Sequence, residues 1–240
     1  MRFGLGLFTP REPVRLRIIN ASSMINFNFR IPGLAMTIVQ ADGQDIQPVD
    51  VDEFQIGIAE TYDLIVRPSE QRAYRIIAEA IDRSGQCRAT LAPRRGMAGD
   101  VPPLRERPIL TMKDMGMDMP GMDHGTMKTH DKSLAPSRVK MGPGVATISS
   151  MPGDRIGDRP TGLENVDHRV LTYTDLKALL PNPDQRSPSR TLEIHLTANM
   201  ERYMHGEDAA RDGWGGWLRL FWFGWLCPPW RSMITAHMLA

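Results

Sequence analysis

Alternation of apolar and polar side chains is the clearest pattern early in the chain. In the stretch PVRLRIIN, Val14, Leu16 and Ile18 alternate with polar residues, which is typical of a strand with one buried face. Further short runs are predicted to be strands: NFNFRI, AMTIVQ, FQIGI, TYDLIVRP, AYRIIAEA and CRATLA. The turn pairs PG at 32–33 and DG at 42–43 separate the early runs. Several short strands with turns between them favour a β-sandwich or barrel over a parallel sheet with helices.

Residues 93–169 lack this alternation. They are rich in Pro, Gly, Met, Asp and Arg, with one short apolar break, PILTM at 108–112. Because such a composition cannot bury enough apolar surface to offset chain entropy, we predict a long, mostly disordered linker over residues 113–165.

Regular patterning returns in the stretch HRVLTYTDLKALLPNPD. Thr174 is predicted to cap a short helix that runs through Leu180 and stops at Pro181. The stretch TLEIHLT then alternates and predicts another strand. His195 lies on the polar face of that strand, where a lone histidine is more often structural or solvent-facing than a metal ligand.

Residues 205–240 contain all five tryptophans of the chain without a helical or strand period. One interpretation is a surface that binds a partner or a membrane, although the basic polar face of such a helix is absent. The alternative is that this tail is not a selected sequence, as a frameshifted reading would produce.

Composition narrows the function classes. The chain has 240 residues, of which 41% are hydrophobic and 24% charged, with a formal net charge of +1. This balance is ordinary for a globular protein and gives no reason to expect nucleic acid as a partner. No run of about twenty apolar residues predicts a membrane span, and the N-terminal MRFGLGLFTPREP is too short for a signal peptide. Cys87 and Cys227 form no CxxC pair, so they indicate neither a zinc site nor a disulfide scaffold.

The stretch MKDMGMDMPGMDHGTMKTH at 112–130 holds six methionines and two histidines. Methionine usually fills apolar cores, but the neighbours here are Lys, Asp, Gly and Pro, so no helix or strand face would be apolar. Thioethers are soft ligands that select Cu(I), and imidazole also binds copper. The candidate copper ligands are Met112, Met115, Met117, Met119, Met122, His124, Met127 and His130. A linker that gained methionines by compositional drift is the alternative.

Eight longer blocks of sequence indicate a resemblance to a known protein family. They are GLFTP (6–10), VRLRIIN (14–20), FRIPGLAMTIVQADGQDIQPVDVDEF (29–54), AETYDLIV (59–66), DRSGQCRATLA (82–92), ILTMKDMGMDMPGMDHG (109–125), RVLTYTDLKALLPNPD and RTLEIHLTANMERYM (190–204). In this order the blocks resemble the copper-resistance protein A type of multicopper oxidase. The earlier blocks are similar to the middle cupredoxin domain of that family, the sixth to its methionine-rich insert, and the last two to the entry of its third domain.

The resemblance implies an all-β, cupredoxin-like Greek-key β-sandwich. The sandwich is expected to be incomplete, and a long Met-rich disordered linker and a fragment of a second sandwich are expected to follow it. The implied parts are an N-terminally truncated middle domain at 5–112, a Met/Gly/Pro-rich linker at 113–165, the start of a third cupredoxin domain at 166–204 and an atypical Trp-rich tail at 205–240. In the family, one blue copper and a trinuclear copper cluster couple substrate oxidation to oxygen reduction in the periplasm.

The sequence departs from the family at the copper ligands. Its histidines are His124, His130, His168, His195, His205 and His237. None of them lies in an HxH pair and neither cysteine lies in an HCH motif, so we expect no complete blue or trinuclear copper site and no catalysis by this chain alone. We also expect a chain translated from Met1 to stay in the cytoplasm, whereas the family works in the periplasm.

Three functions remain open at this point. The first is a truncated copper-handling protein that binds copper ions through the Met-rich stretch. The second is part of an active copper-dependent oxidase whose remaining domains lie on another chain. The third is a fragment with no metal role, or one that binds an unknown protein partner through its tail.

Overall fold

The computed structural model describes residues 4–110, 114, 154–184, 186–187, 194–199, 204–209 and 237–238. The chain divides into two compact units. The first comprises Met1–Ile109 and Asp154–Pro181, and the second comprises Leu110–Gly153 and Asn182–Ala240. Within the described residues, no helix is long and apolar enough to cross a bilayer.

Nine strands form two sheets in the first unit. In chain order they are β1 (Gly4–Leu7), β2 (Val14–Ile19), β3 (Phe27–Arg30), β4 (Met36–Ala41), β5 (Gln44–Val51), β6 (Glu53–Ile56), β7 (Thr61–Val66), β8 (Tyr74–Ala80) and β9 (Gln86–Ala92). One sheet has the order β1-β9-β8-β3-β6 and the other β2-β7-β4-β5. All neighbours are antiparallel except β1 and β9. The predicted all-β, cupredoxin-like fold class is confirmed.

The turn pair between β4 and β5 shows how local sequence sets the pairing. Asp42 and Gly43 both have positive φ, 47° and 76°. A two-residue hairpin turn of type I′ requires positive φ at both positions, and Asp-Gly is among the sequences that accept it most readily. The predicted turn is therefore confirmed, and it fixes Ala41 opposite Gln44.

Aromatic rings from both sheets form the centre of the core. Phe54 of β6 lies 5.0 Å, centroid to centroid, from Phe29 of β3 in the same sheet. It also lies 5.0 Å from Tyr62 of β7 in the other sheet. Aliphatic side chains such as Met36, Ile38, Leu64 and Val66 are buried around these rings. The inward positions are those that the alternating pattern predicts.

The helix predicted from Thr174 to Leu180 is wrong. A single 3-10 turn, Tyr173–Asp175, follows Thr172, and the Asp175 carboxylate accepts hydrogen bonds from the Thr172 backbone N–H (2.9 Å) and hydroxyl (2.9 Å). Beyond the turn the chain pairs with β5, where Gln47 N–H donates to the Lys177 carbonyl at 2.8 Å. Because β5 is an edge strand with free backbone groups, pairing with it outweighs a weak helical propensity.

The second unit contains a small sheet. Its strands are β10 (Ile194–Asn199), β11 (Met204–Ala209) and β12 (His237–Met238), in the order β11-β10-β12. β10 pairs with β11 antiparallel and with β12 parallel. β10 confirms the strand predicted in TLEIHLT.

Candidate functional site

The predicted copper ligands lie outside the described residues. They are Met112, Met115, Met117, Met119, Met122, His124, Met127 and His130. The structure instead describes the chain on either side of them. We call residues 97–108 the leading flank and residues 154–171 the trailing flank. Both belong to the first unit, so the chain leaves this unit after one flank and returns to it through the other.

Both flanks are bonded to groups on the outer face of the five-stranded sheet, the face that points away from the inter-sheet core. Along β3 and β6, Phe29 and Phe54 point into the core, so their neighbours Asn28 and Glu53 point outward. Outward positions on a half-exposed sheet normally contact water. Here Asn28, Glu53 and Glu79 have no exposed surface at all. A buried carboxylate needs compensating charge and hydrogen bonds.

Arg105 of the leading flank supplies that compensation to both carboxylates. Its Nη2 lies 2.6 Å from Glu53 Oε1, and its Nε donates to Glu79 Oε2 at 2.6 Å. Its backbone N–H donates to Glu79 Oε1 at 2.9 Å. Burial on its own raises the pKa of Glu79, but these hydrogen bonds from Arg105 outweigh burial and hold the pKa below its ordinary value. Glu79 is therefore ionised at neutral pH.

Glu53 and Glu79 each have a second partner, His168 in the trailing flank and Arg83 after β8. His168 Nε2 lies 2.7 Å from Glu53 Oε2. Arg83 follows β8 and is almost completely buried. Its Nη1 lies 3.5 Å from Glu79 Oε2, and its Nη2 donates to the carbonyl of Gly162 in the trailing flank at 3.2 Å. Glu53 thus binds one residue from each flank.

Backbone pairing also attaches the trailing flank to the edge strand β6. The N–H groups of Asp52 and Glu53 donate to the Arg169 carbonyl at 2.9 and 3.2 Å, and Leu171 N–H donates to the Glu53 carbonyl at 3.1 Å. This pairing covers backbone groups that an edge strand otherwise leaves exposed. Leu163 and Val170 of the same flank are also buried.

The two flanks touch each other at Gly162. A Cβ added to Gly162 would lie 3.2 Å from the Pro108 Cβ and 2.9 Å from Arg83 Nη2. Its φ of +80° also favours glycine. The end of the leading flank therefore lies beside the middle of the trailing flank.

Side-chain donors hold the beginning of the leading flank. Arg75 Nη2 donates to the Gly99 carbonyl at 2.7 Å while its Nη1 donates to Thr90 Oγ1 at 2.8 Å. Gln86 Nε2 donates to the Pro102 carbonyl at 3.3 Å. In the part of the chain that the structure describes, this flank forms no backbone-to-backbone hydrogen bond with a strand.

The described residues do not fit a catalytic copper centre. A blue copper site takes two imidazoles and one thiolate. No group of three or more His, Cys, Asp or Glu side chains suited to a metal ion occurs among the residues with described positions. His168 is bonded to Glu53, and Cys87 is exposed on β9. No catalytic step through copper follows from these residues.

Sequence reasoning missed the Glu53–Arg105–Glu79 network. Glu79 occupies an outward position of a strand, where the alternating pattern indicates contact with water. Arg105 lies in a stretch with no periodicity at all. The one available signal, an acidic residue inside the apolar run AYRIIAEA, does not identify its partner.

Comparisons with known proteins match this chain to copper oxidases. The multicopper oxidase family (Cu-oxidase) matches residues 3–95. Copper resistance protein A of Escherichia coli is 43% identical, over 82% of this chain and 40% of that protein. A copper resistance protein A homolog of Pseudomonas syringae pv. tomato is 41% identical, over 86% of this chain and 40% of its own length. The chain therefore spans about two fifths of these relatives.

Solved structures of copper oxidases also align with part of the chain. Fet3p, a multicopper oxidase that functions in iron import, aligns with a TM-score of 0.38 and 18% identity over 43% of this chain and 22% of its own. The laccase from Botrytis aclada aligns with a TM-score of 0.37 and 23% identity over 42% and 21%. The relationship is carried by the sequence matches, whose identity exceeds 40% over most of the chain. The predicted resemblance is thus confirmed: residues 3–95 match the multicopper oxidase family, and most of the chain is similar to about two fifths of copper resistance protein A.

Proposed function

We propose that this chain handles copper and that its Met-rich stretch, residues 112–130, binds Cu(I). One observation carries the proposal. Six methionines and two histidines fall in a short polar stretch of a chain that matches copper resistance protein A over 82% of its length. We place this function in the bacterial periplasm, where the family works.

Ligand softness gives the proposed metal preference. Thioether sulfur suits Cu(I), whereas Zn(II) favours thiolate, imidazole or carboxylate. Asp114, Asp118 and Asp123 offer oxygen to harder ions, so the preference is not absolute. Thioethers carry no titrating proton, so their share of binding persists in mild acid. The contribution of His124 or His130 fades below about pH 6, where imidazole becomes protonated.

The leading flank supports this proposal because Arg105 fixes the chain a few residues before the stretch begins. Ordering a chain around a metal ion costs about 1–2 kcal/mol for each residue fixed. The contact between Pro108 and Gly162 forms on folding, so the loop-closure entropy of the chain between them is already lost before metal binds.

Oxidation of Cu(I) or phenols with oxygen is not proposed for this chain alone. Such chemistry requires imidazoles and a thiolate held around copper. The sequence has no HxH pair and no HCH motif. An oxidase completed by domains on another chain remains the second candidate from the sequence, and no contact among the described residues favours it.

The test is a titration with Cu(I) against a competing chelator. A peptide of residues 110–131 is compared with one in which all six methionines are leucine and one in which both histidines are alanine. We expect the first change to abolish binding and the second to weaken it at neutral pH only. If the methionine-free peptide binds as well as the original, the stretch is a spacer and the proposal fails.

A further inference from the structure

The flanks of the Met-rich stretch are attached to the sandwich in different ways. The trailing flank pairs its backbone with β6 through Arg169 and Leu171. The leading flank is attached by side chains, chiefly Arg105, whose guanidinium spans from Glu53 on β6 to Glu79 on β8. β3 lies between these strands, so Arg105 bridges across the width of three strands.

We infer that Glu53, Glu79 and Arg105 form an ionic clasp that holds the end of the leading flank, residues 104–108, on the sandwich. Opening it frees this end, while the beginning of the flank, bonded to Arg75 and Gln86, and the trailing flank stay in place. The clasp is a conformational device of the fold. It does not depend on the proposed copper function, because none of its residues is a candidate metal ligand.

Geometry makes Arg105 the residue on which the end of the leading flank depends. Its side chain is 22% exposed, whereas both carboxylates are fully buried. Its backbone N–H and its guanidinium bind the same carboxylate, Glu79, so the flank is fixed in position and direction. Charge-assisted bonds of this kind are stronger than neutral ones.

Other contacts of the carboxylates explain why the trailing flank stays. Without Arg105, Glu53 keeps His168, and Glu79 keeps Arg83. The backbone bonds from Asp52, Glu53 and Leu171 do not involve the clasp side chains. The clasp therefore controls one flank and not the other.

Pairs of spin labels test this inference on the full chain. Native Cys87, exposed on β9, serves as the reference on the sheet, with Cys227 replaced by serine. The second label is placed at Glu106→Cys in the leading flank, or at Asn165→Cys in the trailing flank, both of which are exposed positions. Double electron–electron resonance then gives the distribution of distances between the two labels of each pair, measured with and without Arg105→Met.

We expect narrow distributions for both pairs before the substitution. After Arg105→Met, the 87–106 distribution should lose its narrow peak while the 87–165 distribution keeps it. The inference is overturned if the 87–106 pair stays narrow, or if both pairs broaden while circular dichroism shows an intact sandwich.

A second variant covers the case in which Arg105→Met unfolds the protein. The combined change Glu53→Gln and Arg105→Met removes the clasp, while buried Glu79 keeps buried Arg83 as its partner. It should again broaden the 87–106 pair alone, and a narrow 87–106 peak in this variant would equally overturn the inference. Arg15→Met, which removes an ion pair to Asp63 on the other sheet, is the matched control and should leave both distributions narrow.

Discussion

Glu53 Oε1 and Arg105 Nη2 lie 2.6 Å apart although 52 residues separate them in sequence. Glu53 has no exposed surface, and its other carboxylate oxygen binds His168. One buried carboxylate therefore joins the chain before the Met-rich stretch to the chain after it. This contact lies on the face of the sheet that a simple sandwich would leave to water.

Arg105→Met should destabilise the protein strongly. The change removes the guanidinium that Glu53 and Glu79 share and leaves them only His168 and Arg83. Breaking a buried ion pair by removing one partner costs about 3–5 kcal/mol. Chemical denaturation followed by circular dichroism measures the free energy of unfolding. Arg186→Met, which breaks the exposed pair with Asp184, is the control and should change stability very little. Equal effects of the two substitutions would show that the buried network is not an important source of stability.

Gly162→Ala should be more harmful than Gly43→Ala. Both glycines have similar positive φ values, +80° and +76°. Only at Gly162 would the new Cβ meet neighbours, at 2.9 Å from Arg83 and 3.2 Å from Pro108, while Gly43 has nothing within 4 Å. Strain in the left-handed region costs about 1–2 kcal/mol at each position, and the steric clash adds to it at Gly162. If both variants lower the thermal unfolding temperature by the same amount, the two flanks do not meet at Gly162 as described.

Acid should weaken the four-stranded sheet through Asp63. Hydrogen bonds from Arg17, and with them those from Arg15, hold the pKa of the buried Asp63 carboxyl below its ordinary value. Because the folded-state pKa is lowered, the carboxylate stabilises the fold at pH above the unfolded value of 3.8, and this contribution disappears as pH falls through the folded pKa.

Asp63→Asn should therefore lower stability at neutral pH and flatten the acid limb of the stability curve. Denaturation midpoints measured from pH 7 down to pH 2 provide the test. Exposed Asp100→Asn is the control and should follow the parent curve. A parallel curve for Asp63→Asn would rule out this carboxylate as a source of the acid sensitivity.

The sequence predicted the core-facing positions of the strands better than the contacts on the outer face of the five-stranded sheet. The alternation around Val14, Phe29 and Leu64 identifies strands because inward positions must be apolar. The same alternation predicts that Glu79 contacts water, because a local pattern carries no information about which distant segment covers the sheet. Arg105, in a stretch without periodicity, is attached by tertiary contacts that no local pattern encodes. The predicted helix after Thr174 failed for a related reason: backbone groups of β5, distant in sequence, compete for that segment.

Copper loading of the purified chain should give no intense blue absorption. That band needs a Cu(II)–thiolate bond within a two-imidazole site, and neither cysteine has an adjacent histidine in the sequence. Optical spectra and oxygen consumption with Cu(I) or a phenol are the readouts. A blue band together with oxygen uptake would show that the chain assembles an oxidase centre on its own.

X-ray absorption at the copper K-edge of the full chain loaded with Cu(I) tests the central claim most directly. The account predicts a first shell dominated by sulfur scattering. This scattering should disappear when Met112, Met115, Met117, Met119, Met122 and Met127 are all replaced by leucine, and it should persist when His124 and His130 are replaced by alanine. A first shell of nitrogen and oxygen alone, or sulfur scattering unchanged in the leucine variant, would contradict the assignment of residues 112–130 as the Cu(I) site.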